Sequence, residues 1–175
     1  YKNDEAEFAN RIGDWSDVTD LDYTKDVALW DELIDILKYW AALGVDGYRC
    51  DVASFIPIKF WIKARSEVAR INPDFIWLAE SVDGGFIKGV RSLGYEVCSD
   101  SELYQAFDIC YDYDVYCYFK DYLLGKSSLA EYVKRVQLQE YIYPGNYVKL
   151  RCLENHDQTR IASLVQSKEQ LNMWT

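Results

Sequence analysis

Residues 75–80, Phe75-Ile76-Trp77-Leu78-Ala79-Glu80, form an almost unbroken apolar run that stops on a carboxylate. A run this short and this apolar reads as a strand buried on both faces, which a parallel sheet among helices provides and a half-solvated hairpin does not. The flanking segments have helical period. From Asp26 to Leu43, the residues Val27, Trp30, Leu33, Ile34, Leu37, Trp40 and Ala41 recur at three- and four-residue steps, and Gly44 follows as a C-cap would. Pro57 suits the first position of a helix reaching Ile71, with Ile58, Trp61, Ile62, Val68 and Ala69 on one face. Trp30, Trp40 and Trp61 are assigned to the core.

Further along, Val45–Asp51, Ala106–Cys110 and Tyr147–Leu153 read as strands. Phe86–Leu93, Asp114–Leu124 and Leu129–Glu140 read as helices. Helices alternating with strands imply right-handed crossovers and a parallel sheet. Two closures satisfy that order: an open, doubly wound sheet or an arc of an eight-stranded barrel. No G-x-G-x-x-G or P-loop glycine pattern follows any strand, which weighs against a nucleotide-binding version.

Half of the 175 residues are hydrophobic, enough apolar surface to order a chain and too much for a disordered one. No stretch approaches the roughly 20 apolar residues that span a bilayer. The net charge of −10 repels phosphate backbones and anionic lipid, so neither nucleic acid nor a membrane is expected as a partner. Five cysteines without C-x-x-C or clustered histidine read as free, mostly buried thiols of a reducing, cytoplasmic compartment. Residues 1–23 are polar and acidic, a leading segment distinct from 24–175. Both chain ends, Tyr1 and Thr175, read as cut, the latter a few residues into a new helix.

The acids carry the chemistry. Asp51 ends the first strand, Glu80 ends the second, and Asp157 follows the last by a few residues. In parallel α/β folds the carboxyl ends of strands are where sites are built. Any one strand-end acid commonly caps the next helix, but three like charges at one rim resist joint ionisation, and folding alone does not require them there. Strand alternation puts Arg49 on the face of Asp51, with Tyr48 and Cys50 opposite. A guanidinium beside Asp51 keeps it ionised, as suits a nucleophile, while burial raises the pKa of Glu80, as suits a proton donor. One ionised and one protonated carboxyl is the pair that glycoside hydrolysis uses.

The stretch Gly44-Val45-Asp46-Gly47-Tyr48-Arg49-Cys50-Asp51-Val52-Ala53 resembles the fourth-strand motif of the α-amylase family of glycoside hydrolases. Trp77-Leu78-Ala79-Glu80-Ser81 resembles its fifth-strand motif, and Leu153-Glu154-Asn155-His156-Asp157 its seventh. Asp20-Leu21-Asp22-Tyr23 is similar to a short stretch near the end of the family's inserted domain. The resemblance implies that 24–175 is part of a (β/α)8 TIM barrel, about strands four to seven. It makes Asp51 the nucleophile, Glu80 the general acid/base, and Asp157 the third carboxylate, which binds sugar hydroxyls. It also makes Arg49 the support of Asp51, and His156 a donor to the sugar. The implied substrate is an oligo- or polysaccharide α-glucan, cleaved with retention, and no cofactor is implied. Tyr111 and Tyr113 are the aromatic candidates for stacking on a sugar ring.

Where many starch-cleaving members carry Lys-His after the nucleophile, this chain reads Val52-Ala53-Ser54-Phe55. Neither the usual acceptor-side contacts nor the usual calcium ligand is implied there, although calcium elsewhere in a longer protein is compatible. Val52 is associated in the family with acceptance of α-1,6 as well as α-1,4 linkages. The family's third-strand motif is absent, and the match covers about half of a barrel of roughly 250 residues. Transfer to a second sugar, or a non-catalytic sugar- or partner-binding role, are the alternatives. Residues 1–175 alone are expected to be inactive and to associate.

Overall fold

A computed structural model describes residues 21–24 and 27–175. The expected leading segment, 1–23, therefore lies outside the described residues except at 21–23.

The chain runs α1 (Val27–Ala42), β1 (Gly47–Cys50), a 3₁₀ turn (Ala53–Phe55), α2 (Ile58–Ala69), β2 (Ile76–Ala79), α3 (Gly84–Ser92) and α4 (Asp100–Leu103). It continues with β3 (Ile109–Tyr111), α5 (Tyr113–Leu123), α6 (Leu129–Ile142), β4 (Val148–Leu150), α7 (Ile161–Leu164) and α8 (Lys168–Trp174). All pairings are parallel, in the order β1-β2-β3-β4. A doubly wound sheet reverses its strand order at a switch point. Here each strand pairs with its successor, so one hand of crossover lays the helices on one face, and the sheet is an arc of a (β/α)8 barrel.

The two faces differ as the alternation predicts. Tyr48, Cys50, Trp77, Ala79 and Cys110 point toward the helices, where Phe60, Trp61, Phe75 and Phe107 complete the core. The Tyr48 hydroxyl donates to the Leu37 carbonyl of α1, and the rings of Trp61, Trp77 and Phe107 meet edge to face. The other face carries Ile76, which is 50% exposed, Val148 at 49% and Leu150 at 37%. The strand at 76–79 is therefore sealed on one face only, not on both as its composition predicted. No second half of a barrel covers it among the described residues. β1 and β2 close tightly because Gly47 has no side chain: a Cβ there would sit 2.5 Å from the Ile76 carbonyl oxygen.

Several elements differ from the sequence reading. Pro57 stands one residue earlier than expected, outside α2 as its N-cap. Trp40 is 51% exposed, because Ile34, Leu37 and Ala41 already fill the stripe of α1 that faces the core. The third strand begins at Ile109, not Ala106, because the Asp108 carboxylate accepts the Trp77 N–H at 2.8 Å in place of a backbone carbonyl. Asp108 is itself held by Arg65 at 2.6 Å. The fourth strand ends at Leu150, where Arg151 turns to Asp112 at 2.8 Å. The helix at α4 was not expected. Its signal was Ser99-x-x-Glu102, whose carboxylate returns to the Ser99 N–H at 2.6 Å. All five cysteines are free, but only Cys50 and Cys110 are buried, with Cys98 and Cys152 half-buried and Cys117 exposed, so the thiols are not mostly buried as expected.

The helix-facing position of β4 is a lysine, Lys149, in register with Cys110. Its side chain is wholly buried and bonds Asp100 of α4, Asp114 of α5 at 3.2 Å and the Tyr111 carbonyl at 3.4 Å. Its ammonium also sits 4.4 Å from the centre of the Tyr143 ring. Burial works against its charge, yet the two carboxylates raise its pKa above the ordinary lysine value.

Lys149→Met should lower unfolding free energy by about 3 kcal/mol, because it strands a buried carboxylate. The double variant Lys149→Met/Asp100→Asn should recover part of that loss. Urea titrations of the two check it, and equal loss in both would contradict the pairing. The exposed row Ile76, Val148 and Leu150 should also drive association of the isolated 175-residue chain. Sizing before and after Ile76→Thr/Val148→Thr/Leu150→Thr checks this, with more monomer expected from the variant.

Candidate active site

Asp51 directly follows β1 and Glu80 directly follows β2, and adjacent strands bring them to one rim. Arg49, one alternation back from Asp51, joins them: its Nη1 donates to Asp51 Oδ1, and its Nη2 lies 2.9 Å from Glu80 Oε1. Beneath the guanidinium lies Tyr111, which is buried; its hydroxyl accepts from Arg49 Nε at 3.4 Å. The second Glu80 oxygen, Oε2, accepts the Val52 N–H at 2.8 Å.

The two carboxyls sit in unequal surroundings. The Asp51 side chain is 75% exposed, that of Glu80 only 11%. Burial is the largest influence on Glu80 and raises its pKa. The Val52 N–H and Arg49 pull the other way, while the negative charge of the neighbouring Asp51 adds to the rise. Arg49 pays a burial penalty of its own, yet Tyr111, Asp51 and Glu80 carry its pKa above the ordinary guanidinium value. The arrangement is that of a buried carboxyl with a raised pKa beside a solvent-exposed one.

The third carboxylate is placed differently. Asp157 contacts His156, Nε2 to Oδ2 at 3.0 Å, and both side chains are open to solvent. The structure thus brings Asp51, Glu80 and Arg49 together directly, and connects Asp157 and His156 to them through a relay. The Asp157 N–H donates to Asn155 Oδ1 at 3.0 Å, and Asn155 Nδ2 donates to the Tyr113 hydroxyl at 2.7 Å. Tyr113 meets Tyr111 edge to face at 5.2 Å, and Tyr111 supports Arg49. Glu154 anchors the loop from its other end by accepting the Ile161 N–H at 2.6 Å.

Both tyrosines expected to stack on sugar thus hold other residues in place, although part of Tyr113 still lines a cavity of about 420 Å³ with Val82, Asp83, Phe86, Tyr116 and Gln158. The sequence reading missed Val52 as a Glu80 partner, since a backbone N–H carries no residue signature. Among the described residues no group of three His, Cys, Asp or Glu side chains is arranged to hold a metal ion. Ser54, in the stretch that replaces the usual calcium-ligand region, is buried, and its hydroxyl accepts the Val82 N–H at 3.4 Å.

Comparison with known proteins identifies the family and the fold. Residues 6–174 match the family described as "Alpha amylase, catalytic domain". The crystal structure of an alpha-amylase from Lactobacillus plantarum superposes with a TM-score of 0.91 at 52% identity, covering 98% of this chain and 40% of that one. Alpha-amylase 2 of Dictyoglomus thermophilum is 27% identical over 146 residues, 82% of this chain and 24% of the relative. The alpha-1,4-glucan:maltose-1-phosphate maltosyltransferase of Picrophilus torridus is 29% identical over 121 residues, 69% of this chain and 16% of the relative. The chain therefore spans well under half the length of these proteins.

The relay makes a local prediction. Tyr113→Phe removes the acceptor of Asn155, worth about 1 kcal/mol, so amides at 154–158 should exchange with solvent about fivefold faster. Amides of β1 and β2 should keep their rates. Hydrogen-exchange mass spectrometry reads both, and unchanged exchange at 154–158 would show that the loop is held by other contacts.

Proposed function

The chain belongs to the α-amylase family, and from that premise we propose that it supplies the nucleophile and the acid/base of a retaining glycosidase. Its substrates are α-1,4-linked glucans, with α-1,6 linkages also accepted. The observation that supports this reading is one planar guanidinium shared by two strand-end carboxyls, Asp51 on Nη1 and Glu80 on Nη2. Two carboxyls bonded to one guanidinium lie close together, as the direct displacement of a retaining mechanism requires.

In this mechanism Asp51, exposed at the rim and paired with Arg49, attacks the anomeric carbon. Glu80 gives its proton to the departing oxygen as the glycosidic bond breaks, leaving the sugar covalently on Asp51. Glu80, now ionised, takes a proton from water as that water attacks the same carbon and frees Asp51. Burial of Glu80 favours the protonated form that the first step needs. His156 and Asp157, exposed on the loop after β4, hold the hydroxyls of the sugar being cleaved. The full activity belongs to the whole protein, of which these residues form one arc.

Glycosyl transfer is the second reading, favoured by the maltosyltransferase relative. It keeps every residue role and replaces the water by an acceptor sugar. Product analysis with a single maltooligosaccharide separates the two. Hydrolysis raises the count of reducing ends, whereas transfer yields longer chains without that rise.

In the whole protein, Asp51→Asn should leave no glycosyl-enzyme detectable by mass spectrometry. Glu80→Gln should still form it from an activated aryl glycoside, while losing about 10²- to 10⁴-fold on unactivated glucan. Equal loss by both variants on the activated substrate would contradict the division of roles. Because the Glu80 pKa is raised, the protonated acid persists above the ordinary glutamate value of about 4.3. The fall of kcat/KM on the alkaline side should therefore lie above that pH and disappear in Glu80→Gln. Arg49→Lys should lower kcat, since an ammonium cannot bond both carboxyls in one plane.

A further inference from the structure

Val52 is the only non-glycine residue with a positive φ among the described residues, at φ 40° and ψ 44°. A β-branched side chain is strained in that region, so surrounding contacts must hold it there. The hydrogen bonds show what the conformation does. Along β1 and β2 the ladder is regular: Ile76 N–H donates to the Asp46 carbonyl, and Glu80 N–H to the Cys50 carbonyl, both at 3.0 Å. The next rung of a parallel ladder would run from the Val52 N–H to the Glu80 carbonyl. Instead the Ala53 N–H takes that carbonyl at 3.0 Å, and the Val52 N–H goes to Glu80 Oε2 at 2.8 Å. The ladder has slipped by one residue, as at a bulge, and the extra residue is Val52. The turn is fixed from the core side as well, since Ala53 is fully buried and its carbonyl accepts the Trp61 indole N–H at 3.1 Å.

We propose that this one-residue slip makes Val52 a positioning residue: its backbone N–H fixes Oε2 of Glu80 as the permanent acceptor and leaves Oε1 to carry the proton given to the leaving group. The carbonyl oxygen of a protonated carboxyl is a much stronger acceptor than its hydroxyl oxygen, so the protonated Glu80 keeps its carbonyl oxygen on the Val52 N–H and its O–H at Oε1. Arg49 Nη2 contacts Oε1 in the ionised form, and protonation there weakens that contact while Arg49 stays on Asp51. The slip thus couples the turn after the nucleophile to the choice of oxygen on the acid. The catalytic half of this inference rests on Glu80 being the acid/base; the contact itself does not.

The test replaces Val52 in the whole protein with its α-hydroxy acid, which turns the N–H into an ester oxygen and keeps the side chain. Carbon-detected NMR of the Glu80 carboxyl should show its titration moved upward by about one pH unit, since a donor to the ionised form is lost. The alkaline limb of kcat/KM should move with it. Val52→Gly keeps the N–H and adopts a positive φ without strain, so it should titrate as the wild type and melt no lower. An unmoved Glu80 titration in the ester protein overturns the proposal. So does a Val52→Gly shift as large as that of the ester, which would assign the effect to the valine side chain; this variant decides the matter if the ester protein does not fold. A shifted titration with an unmoved rate profile upholds the contact and instead overturns Glu80 as the acid/base.

Discussion

Parallel strands of three and four residues persist only if the helices above them seal one face completely, and every other feature of this chain follows from that seal. The ladder alone offers few hydrogen bonds. Trp77, Ala79 and Cys110 beneath the helices, with Trp61 and Phe107 wedged against them, supply the burial that keeps the strands in register. Because the crossovers share one hand, the helices cannot also cover the opposite face. The rim at the strand ends stays open, and Asp51 and Glu80 stand there, one strand apart.

That placement explains how two chemically similar carboxyls come to differ. Glu80 follows the more deeply buried strand and is packed under the turn that leaves β1, whereas Asp51 begins that turn and faces solvent. The same guanidinium touches both, so the difference lies in hydration rather than in the cation. Tyr111 and Tyr113 extend the arrangement to the loop bearing His156 and Asp157, which no direct bond joins to the two acids.

Much of this was legible in the residues, and the pattern of misses has a physical cause. Helical period, the apolar run at 75–79 and the acids at strand ends located every strand and the long helices, because those signals come from burial on regular elements. Arg49 and Asp51 fell on one face because strand alternation admits no other result. The misses lie where side chains replace backbone or backbone replaces side chains. Asp108 stands in for a ladder carbonyl and shortens β3, and Val52 offers Glu80 an N–H that any residue type but proline would have supplied. Lys149 carries no sequence signal of its own, and only the register sets it beside Cys110, facing the helices. Trp40 failed for a simpler reason, since the apolar stripe of α1 was already complete without it.

The buried lysine also constrains how such a chain drifts. Lys149, Asp100 and Asp114 lie on a strand and two helices, and Lys149 is the one member that cannot be exchanged alone, since its loss leaves two carboxylates facing each other without a cation. Replacing the lysine itself by an apolar residue requires that the carboxylates be neutralised with it. The lysine is therefore the fixed point of the cluster: either aspartate can be neutralised while Lys149 keeps the other as its partner. The surrounding helices, free at their exposed faces, can diverge around them.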